Sequence, residues 1–144
     1  MTTYADSSAL VKLYADEHGS EAIRALGLVV VSMLARVEVA AAIWRKVRMG
    51  EVDAGDGAIL TQAFEADWTS RDAARRPFIV IALRIPLLDH AAGLAATQGL
   101  RAFDAIQLAS ALAAREADPG CDAFACFDAG LRRAAAAESF VLLP

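Results

Sequence analysis

Acidic residues stand directly after two segments that the sequence predicts to be strands. Asp6 follows the segment 2–5, and Asp128 follows the segment 123–127. In a parallel sheet the carboxyl ends of the strands share one edge, which is where α/β folds bind their ligands. We therefore expect both carboxylates at that edge. Asp122 precedes its strand and lies about 20 Å of chain from Asp128, at about 3.3 Å per residue, so it is excluded from the group.

Two further acids are set among apolar residues. Glu38 is the only acid in residues 22–50, and Asp104 opens a long helical segment. A carboxylate in apolar surroundings is costly unless it is paired or bound to a metal. With Asp6 and Asp128, these residues form a candidate cluster of hard oxygen ligands, the type that Mg²⁺ prefers. Such an ion can activate a water molecule and neutralise charge that grows on a phosphate.

Each acid also has a structural alternative. The two acids that follow strands could be helix N-caps, and Asp104 with Gln107 has the spacing of a capping box. Glu38 could form an ion pair with Arg45, two turns along the same helix, or with a more distant arginine. The four acids together favour a metal site. Crowding of like charges at such a site predicts raised carboxyl pKa values in the absence of metal.

The remaining segments predict the elements that would position these acids. Short apolar or β-branched runs predict strands at 2–5, 28–31, 78–83, 123–127 and 140–142. Start and stop signals predict helices at 8–14, 21–26, 33–49, 53–68, 86–98, 102–117 and 129–137. Because strands and helices alternate, we expect parallel pairing and an α/β sandwich, with a single domain over residues 1–144.

The composition restricts the class of protein. The chain has 144 residues, of which 57% are hydrophobic and 22% charged, as expected for one folded domain and not for a disordered chain. No apolar run is long enough to span a membrane, and the first residues lack the pattern of a leader peptide. Cys121 and Cys126 are too few for a disulfide framework, so we expect a cytoplasmic protein.

The charge balance bears on the partners. A net charge of −4 is unfavourable for binding nucleic acid and would suit a basic protein partner. A divalent cation among the acids would offset part of that charge, and most of the cations are arginines, which suit bidentate contact with phosphate. The pairs Arg75–Arg76 and Arg132–Arg133 are the candidates for contact with nucleic acid or a partner, if they are not simply solvated.

Four segments of the chain resemble the PIN-domain ribonucleases, and in particular the VapC-type toxins of bacterial toxin–antitoxin pairs. The segments are 4–14 (YADSSALVKLY), 32–38 (SMLARVE), 99–111 (GLRAFDAIQLASA) and 124–128 (FACFD). Their order along the chain carries the resemblance, since no single segment is specific. Together they extend over essentially the whole sequence.

The resemblance implies a three-layer α/β/α sandwich around a mainly parallel sheet of four to five strands. It also implies an endoribonuclease that uses Mg²⁺ or Mn²⁺ to hydrolyse single-stranded or looped RNA to a 5′-phosphate and a 3′-hydroxyl. By position, Asp6, Glu38, Asp104 and Asp128 match the family's catalytic, metal-binding acids. The implied partners are a cognate antitoxin and a second copy of the chain. The alternative is a PIN-like module that binds RNA or protein without cutting.

Two positions depart from the family pattern. Cys126 stands two residues before the last acid, where a hydroxyl is frequent, and Gln107 stands three residues after the third acid, where a histidine is common. Neither departure removes a carboxylate. Both could alter the hydrogen bonds that hold the acids, and the loss of such bonds typically costs about 10- to 100-fold in metal affinity or activity.

Overall fold

A parallel β-sheet forms the centre of the molecule in a computed structural model, which describes residues 1–72, 74 and 77–144. Within these residues the sheet has five strands, in the spatial order β3–β2–β1–β4–β5. They are β1 (Thr2–Ala5), β2 (Leu28–Ser32), β3 (Phe78–Ile81), β4 (Ala123–Ala125) and β5 (Val141–Leu143). Every neighbouring pair is parallel, so the carboxyl ends of all five strands lie at one edge.

Helices connect the strands. They are α1 (Ser7–Leu10), α2 (Ser20–Arg24), α3 (Ala35–Arg48), α4 (Ala54–Thr69), α5 (Ile85–Gln98), α6 (Ala102–Ala117) and α7 (Ala129–Ala137), with a 3₁₀ turn at Val11–Leu13 after α1. The predicted helices are therefore confirmed, with small differences at their ends. None of the helices in the described part of the chain is long and apolar enough to cross a membrane.

The helices cover both faces of the sheet, which gives the three-layer sandwich that the sequence predicts. Successive side chains of a strand point to opposite faces, so Tyr4 and Ala5 of β1 belong to two different cores. Tyr4 packs with Leu108 of α6 on the face that α5, α6 and α7 cover. Ala5 belongs to the other core, with Val39 of α3 and Phe64 of α4. Burial on both faces explains the continuous apolar run of β2.

The turn between α5 and α6 fixes where α6 begins. Gly99 ends α5 with a φ of 64°, a left-handed conformation that glycine adopts without strain. α6 starts at Ala102 and packs closely against α5. This geometry places the first turn of α6, and with it Asp104, at the carboxyl edge of the sheet.

Candidate metal centre

Asp6 lies directly after β1, and both of its carboxylate oxygens accept hydrogen bonds. Oδ1 accepts from the Ser8 hydroxyl at 2.6 Å and from the backbone N–H of Ala9 at 3.0 Å, so Asp6 is also the N-cap of α1. Oδ2 accepts a weaker bond from the thiol of Cys126 at 3.3 Å. The residue is 6% exposed. Burial raises the pKa of Asp6 to about 6; the three hydrogen bonds oppose this rise, and the nearby Glu38 carboxylate adds to it.

Glu38 is brought to Asp6 by the first turn of α3. Its Oε1 atom accepts from the Ser7 hydroxyl at 2.8 Å and from the side-chain amide of Gln107 at 2.7 Å. These bonds connect α3 with α1 and α6. The ion pair between Glu38 and an arginine, which the sequence left open, is not formed with any residue that the structure describes, because Ser7 and Gln107 hold the carboxylate instead.

Asp104 and Asp128 form a second pair of acids. Partial burial raises the pKa of Asp104, and the negative charge of Asp128 raises it further, while Arg101 opposes the rise. The Arg101 Nε atom lies 3.7 Å from Asp104 Oδ2. Asp128 is the N-cap of α7, with Oδ1 accepting from the backbone N–H of Leu131 at 2.8 Å. Asp6 and Asp128 are thus both helix N-caps, as the structural alternative predicts. In each case the cap uses only the Oδ1 atom.

The two pairs lie along the carboxyl edge of the sheet. Glu38 and Asp104 line the same cavity, of about 420 Å³, together with Phe103. Within the described residues, no three His, Cys, Asp or Glu side chains lie close enough together to hold a metal ion by themselves. Mg²⁺ keeps several of its waters and is usually held by one or two carboxylates plus substrate phosphate. Two pairs of carboxylates, in which the pKa values of Asp6 and Asp104 are raised, therefore offer the oxygen ligands that such a cation takes.

The capping-box interpretation of Asp104 and Gln107 is wrong. The N-cap of α6 is Arg101, which makes no side-chain cap to any described residue, and Asp104 is the third residue of the helix. Gln107 is buried and faces Glu38 instead. The pKa values of Asp6 and Asp104 are raised in the direction that the sequence predicts, but burial is the main cause; the charge of the neighbouring acid is the second cause at Asp104 and the smallest at Asp6.

Sequence reasoning missed the hydroxyl groups around the acids. Ser7 binds Glu38, Ser8 binds Asp6, and the phenol of Tyr4 donates to Gln107 at 2.6 Å. The spacing of Ser8, two residues after an aspartate, is a local signal that could have found it. No local signal could have found the contact between Tyr4 and Gln107, which are 103 positions apart.

One of the arginine pairs singled out from the sequence is partly engaged in the fold. Arg132 donates to the backbone carbonyls of Cys126 and Leu143, each at 2.6 Å, and so ties α7 to the ends of β4 and β5. Arg133 remains exposed. Arg75 and Arg76 lie outside the described residues.

A parallel α/β/α sandwich with four acids along the carboxyl edge is an arrangement that could support metal-dependent hydrolysis of phosphate esters. Residues 3–137 match the model of the PIN domain, and the chain belongs to that family. It is 39% identical over 121 residues to the ribonucleases VapC45 and VapC49 of two strains of Mycobacterium tuberculosis, over 81% of this chain and 78% of each relative. The resemblance to VapC-type ribonucleases is confirmed.

Solved structures show the same fold. Mycobacterium tuberculosis VapC20, described as a sarcin–ricin loop cleaving toxin, has a TM-score of 0.67 at 16% identity over 96% of both chains. A toxin–antitoxin complex from Klebsiella pneumoniae has a TM-score of 0.60 at 16% identity over 88% of this chain and 86% of that chain. These likenesses confirm the predicted three-layer architecture.

Proposed function

We propose that this protein is a metal-dependent endoribonuclease, the toxin of a VapBC-type toxin–antitoxin pair. The observation that carries the proposal is the set of four acids at the carboxyl edge of a PIN fold, two of them with raised pKa values. The relatives at 39% identity are ribonucleases of this type. The substrate is RNA, and the products carry a 5′-phosphate and a 3′-hydroxyl.

The acids Asp6, Glu38, Asp104 and Asp128 hold Mg²⁺ or Mn²⁺ in this proposal. When bound, the cation activates water and neutralises charge that grows on the phosphate. The role of the protein itself is to hold the carboxylates in place, so that their side chains need not rearrange when the cation binds. Oε1 of Glu38 and Oδ1 of Asp128 are engaged in hydrogen bonds, whereas Glu38 Oε2 and Asp128 Oδ2 accept none from the residues that the structure describes.

A groove of about 710 Å³ runs from Glu38 along α3, and it is the proposed path of the RNA. We name it the α3 groove; its lining includes Phe103, Phe127, Arg45 and Arg48. Phe103 is 59% exposed beside the acids, where an aromatic ring can stack on a base. Arg45 lies seven residues beyond Glu38, about 10 Å along the helix at about 1.5 Å per residue, within reach of a neighbouring phosphate.

Cleavage of a labelled single-stranded RNA with and without Mg²⁺ or Mn²⁺ tests the function. Asp6→Asn and Asp104→Asn are expected to lower the metal-dependent rate by at least about 100-fold, because each removes a charged ligand. Asp122→Asn is the matched control, since Asp122 precedes β4 at the opposite edge of the sheet. Cleavage that persists undiminished in both site variants would refute the proposal. RNA binding in EDTA without cleavage under any metal would favour the non-catalytic alternative.

The proposed partners are a cognate antitoxin and a second copy of the chain, in the cytoplasm, with residues 1–144 acting as one domain. A similar fold occurs in a toxin–antitoxin complex. A small protein encoded by the neighbouring upstream reading frame should co-purify with this chain and stop cleavage; failure to do either would count against the antitoxin.

Exposed apolar side chains support self-association. Ile85 is 75% exposed at the start of α5, and Leu88 one turn later and Ile79 on the edge strand β3 are also exposed. Ile85→Glu is expected to shift sedimentation from dimer to monomer. A wild-type protein that sediments as a monomer would contradict the dimer.

A further inference from the structure

Gln107 is the centre of a buried hydrogen-bond network that ends on Glu38. The Tyr4 hydroxyl donates to Gln107 Oε1 at 2.6 Å. Gln107 Nε2 donates to Glu38 Oε1 at 2.7 Å and to the Ser7 hydroxyl at 3.0 Å. Gln107 is 2% exposed, and Tyr4 is completely buried. These hydrogen bonds therefore link β1, α1 and α6 to Glu38, which lies on α3.

The chemistry of the groups decides which atom donates in each hydrogen bond of this network. An ionised carboxylate only accepts hydrogen bonds, so the NH₂ group of Gln107 has to face Glu38. The amide oxygen of Gln107 then faces Tyr4, whose hydroxyl has to donate. Turning the amide over would place its oxygen against the carboxylate. The ionised carboxylate thus selects one orientation of Gln107, and the Tyr4 hydroxyl stabilises that orientation by donating to the amide oxygen.

The network engages only one of the two carboxylate oxygens of Glu38. Oε1 accepts both bonds, from Ser7 and from Gln107, whereas Oε2 accepts none from the described residues. A free glutamate side chain has several rotatable bonds, and ordering it on binding would cost conformational entropy. Because the network orders Glu38 during folding, that cost does not fall on cation binding.

We propose that Gln107 is a positioning residue, which holds Glu38 in the orientation that receives the divalent cation, while the Tyr4 hydroxyl holds the Gln107 amide in place by donating to its oxygen. The inference rests on the proposed metal-dependent function and extends it to a buried residue outside the four acids. A histidine, which is common at this position in the family, also offers one donor and one acceptor when neutral. Glutamine therefore replaces it without loss of the donor to Glu38.

The dissociation constant of Mn²⁺, measured by calorimetry on the full chain, tests the inference. Gln107→Met keeps a similar size but removes the hydrogen bonds, and we expect it to weaken Mn²⁺ binding by about 10- to 100-fold. Gln107→His restores a donor and an acceptor and is expected to bind within about threefold of the wild type. This rescue separates positioning from a merely structural role.

Gln98→Met is the matched control. Gln98 Nε2 donates to Glu138 Oε1 at 3.0 Å, which makes it a second glutamine–glutamate pair, whose glutamate is not one of the four acids. We expect its Mn²⁺ affinity to equal that of the wild type. If Gln107→Met lowered the affinity no more than Gln98→Met does, the proposed role of Gln107 would be overturned.

Tyr4→Phe keeps the proposal testable if Gln107→Met fails to fold. This variant removes only the hydroxyl and keeps the ring that packs on Phe124. Its Mn²⁺ binding is expected to weaken by about two- to tenfold, with an unchanged circular dichroism spectrum, because the amide oxygen of Gln107 loses its donor and the amide is held less firmly. If this variant bound Mn²⁺ as tightly as the wild type, the inference would be overturned but the proposed function would stand. If the wild type itself bound no Mn²⁺, both would be overturned.

Discussion

Asp6 is both a helix cap and one of the four proposed metal ligands. It caps α1 through Oδ1 and is almost completely buried, which raises its pKa to about 6. In the unfolded chain the pKa of an aspartate is near 4, so the folded state holds the proton more tightly. The ionised form of Asp6 therefore destabilises the metal-free fold at neutral pH, by roughly 2 to 3 kcal/mol for a shift of about two pKa units.

Asp6→Asn should therefore stabilise the metal-free protein at high pH. Asparagine can still cap α1 but carries no charge to bury. The gain in the free energy of unfolding is expected to be roughly 1 to 3 kcal/mol above about pH 6, to shrink between about pH 6 and 4, and to vanish below about pH 4. Urea unfolding in EDTA at several pH values measures it. A gain that does not change with pH would show that the pKa of Asp6 is not raised.

At the residue scale, the sequence predicts the positions of the acids better than it predicts the groups that form hydrogen bonds with them. Asp6 and Asp128 could be found because each follows a strand, and strand ends converge at one edge of a parallel sheet. Glu38 could be found because a charge in an apolar segment is costly. The partners of Glu38 could not be found, since the bond between Tyr4 and Gln107 depends on a contact across 103 positions that only the folded chain creates.

At the scale of elements, α6 and α7 have the bounds that the sequence predicts, because clear turn residues flank them. Strand β4 is two residues shorter than predicted. Its apolar pattern continues through Phe127, but the chain leaves the sheet after Ala125, and Cys126 turns towards Asp6. Hydrophobicity alone does not reveal where a strand stops pairing.

The packing of α4 on α3, the helix that carries Glu38, depends on a glycine. A Cβ atom at Gly57 in α4 would lie 2.6 Å from Val47 Cγ2 in α3, whereas a Cβ atom at Gly93 in α5 would meet nothing within 4 Å. We expect Gly57→Ala to destabilise the protein by about 1 to 3 kcal/mol because the stiff valine cannot move away easily. Gly93→Ala should stabilise it by about 0.5 to 1 kcal/mol through helix propensity.

Urea unfolding of the two variants side by side measures the difference between these helix-interior substitutions. Because the chemical change is the same, only the space around each Cβ atom separates them. If Gly57→Ala proved as stable as Gly93→Ala, the close contact between α3 and α4 would be refuted.

At the scale of the whole molecule, the charge distribution has to reconcile a net charge of −4 with binding of RNA. The acids lie at one edge of the sheet, and Arg45 and Arg48 are exposed in the α3 groove that leads away from it. A divalent cation at the acids would make that edge less negative. Local charge, and not the net charge, then decides whether the backbone of RNA can bind.

Arg45→Glu is expected to weaken binding of a single-stranded RNA and to reduce the salt dependence of its affinity by about one unit of the log–log slope, as for a lost phosphate contact. Arg24→Glu makes the same charge change in α2, where Arg24 pairs with Asp16 near the amino end of β2. Fluorescence anisotropy in EDTA measures both variants. If both variants weakened RNA binding equally, net charge alone would explain the loss, and the α3 groove would not be the path of the RNA. An effect of Arg45→Glu on antitoxin binding alone would assign the groove to the protein partner.

Titration of Mn²⁺ by calorimetry against the wild type and the variants Asp6→Asn, Glu38→Gln, Asp104→Asn and Asp128→Asn tests the central claim most directly. We expect the wild type to bind Mn²⁺ and each variant to bind at least about tenfold more weakly, while Asp122→Asn binds like the wild type. If all four variants kept the wild-type affinity, the four acids would not be the metal centre.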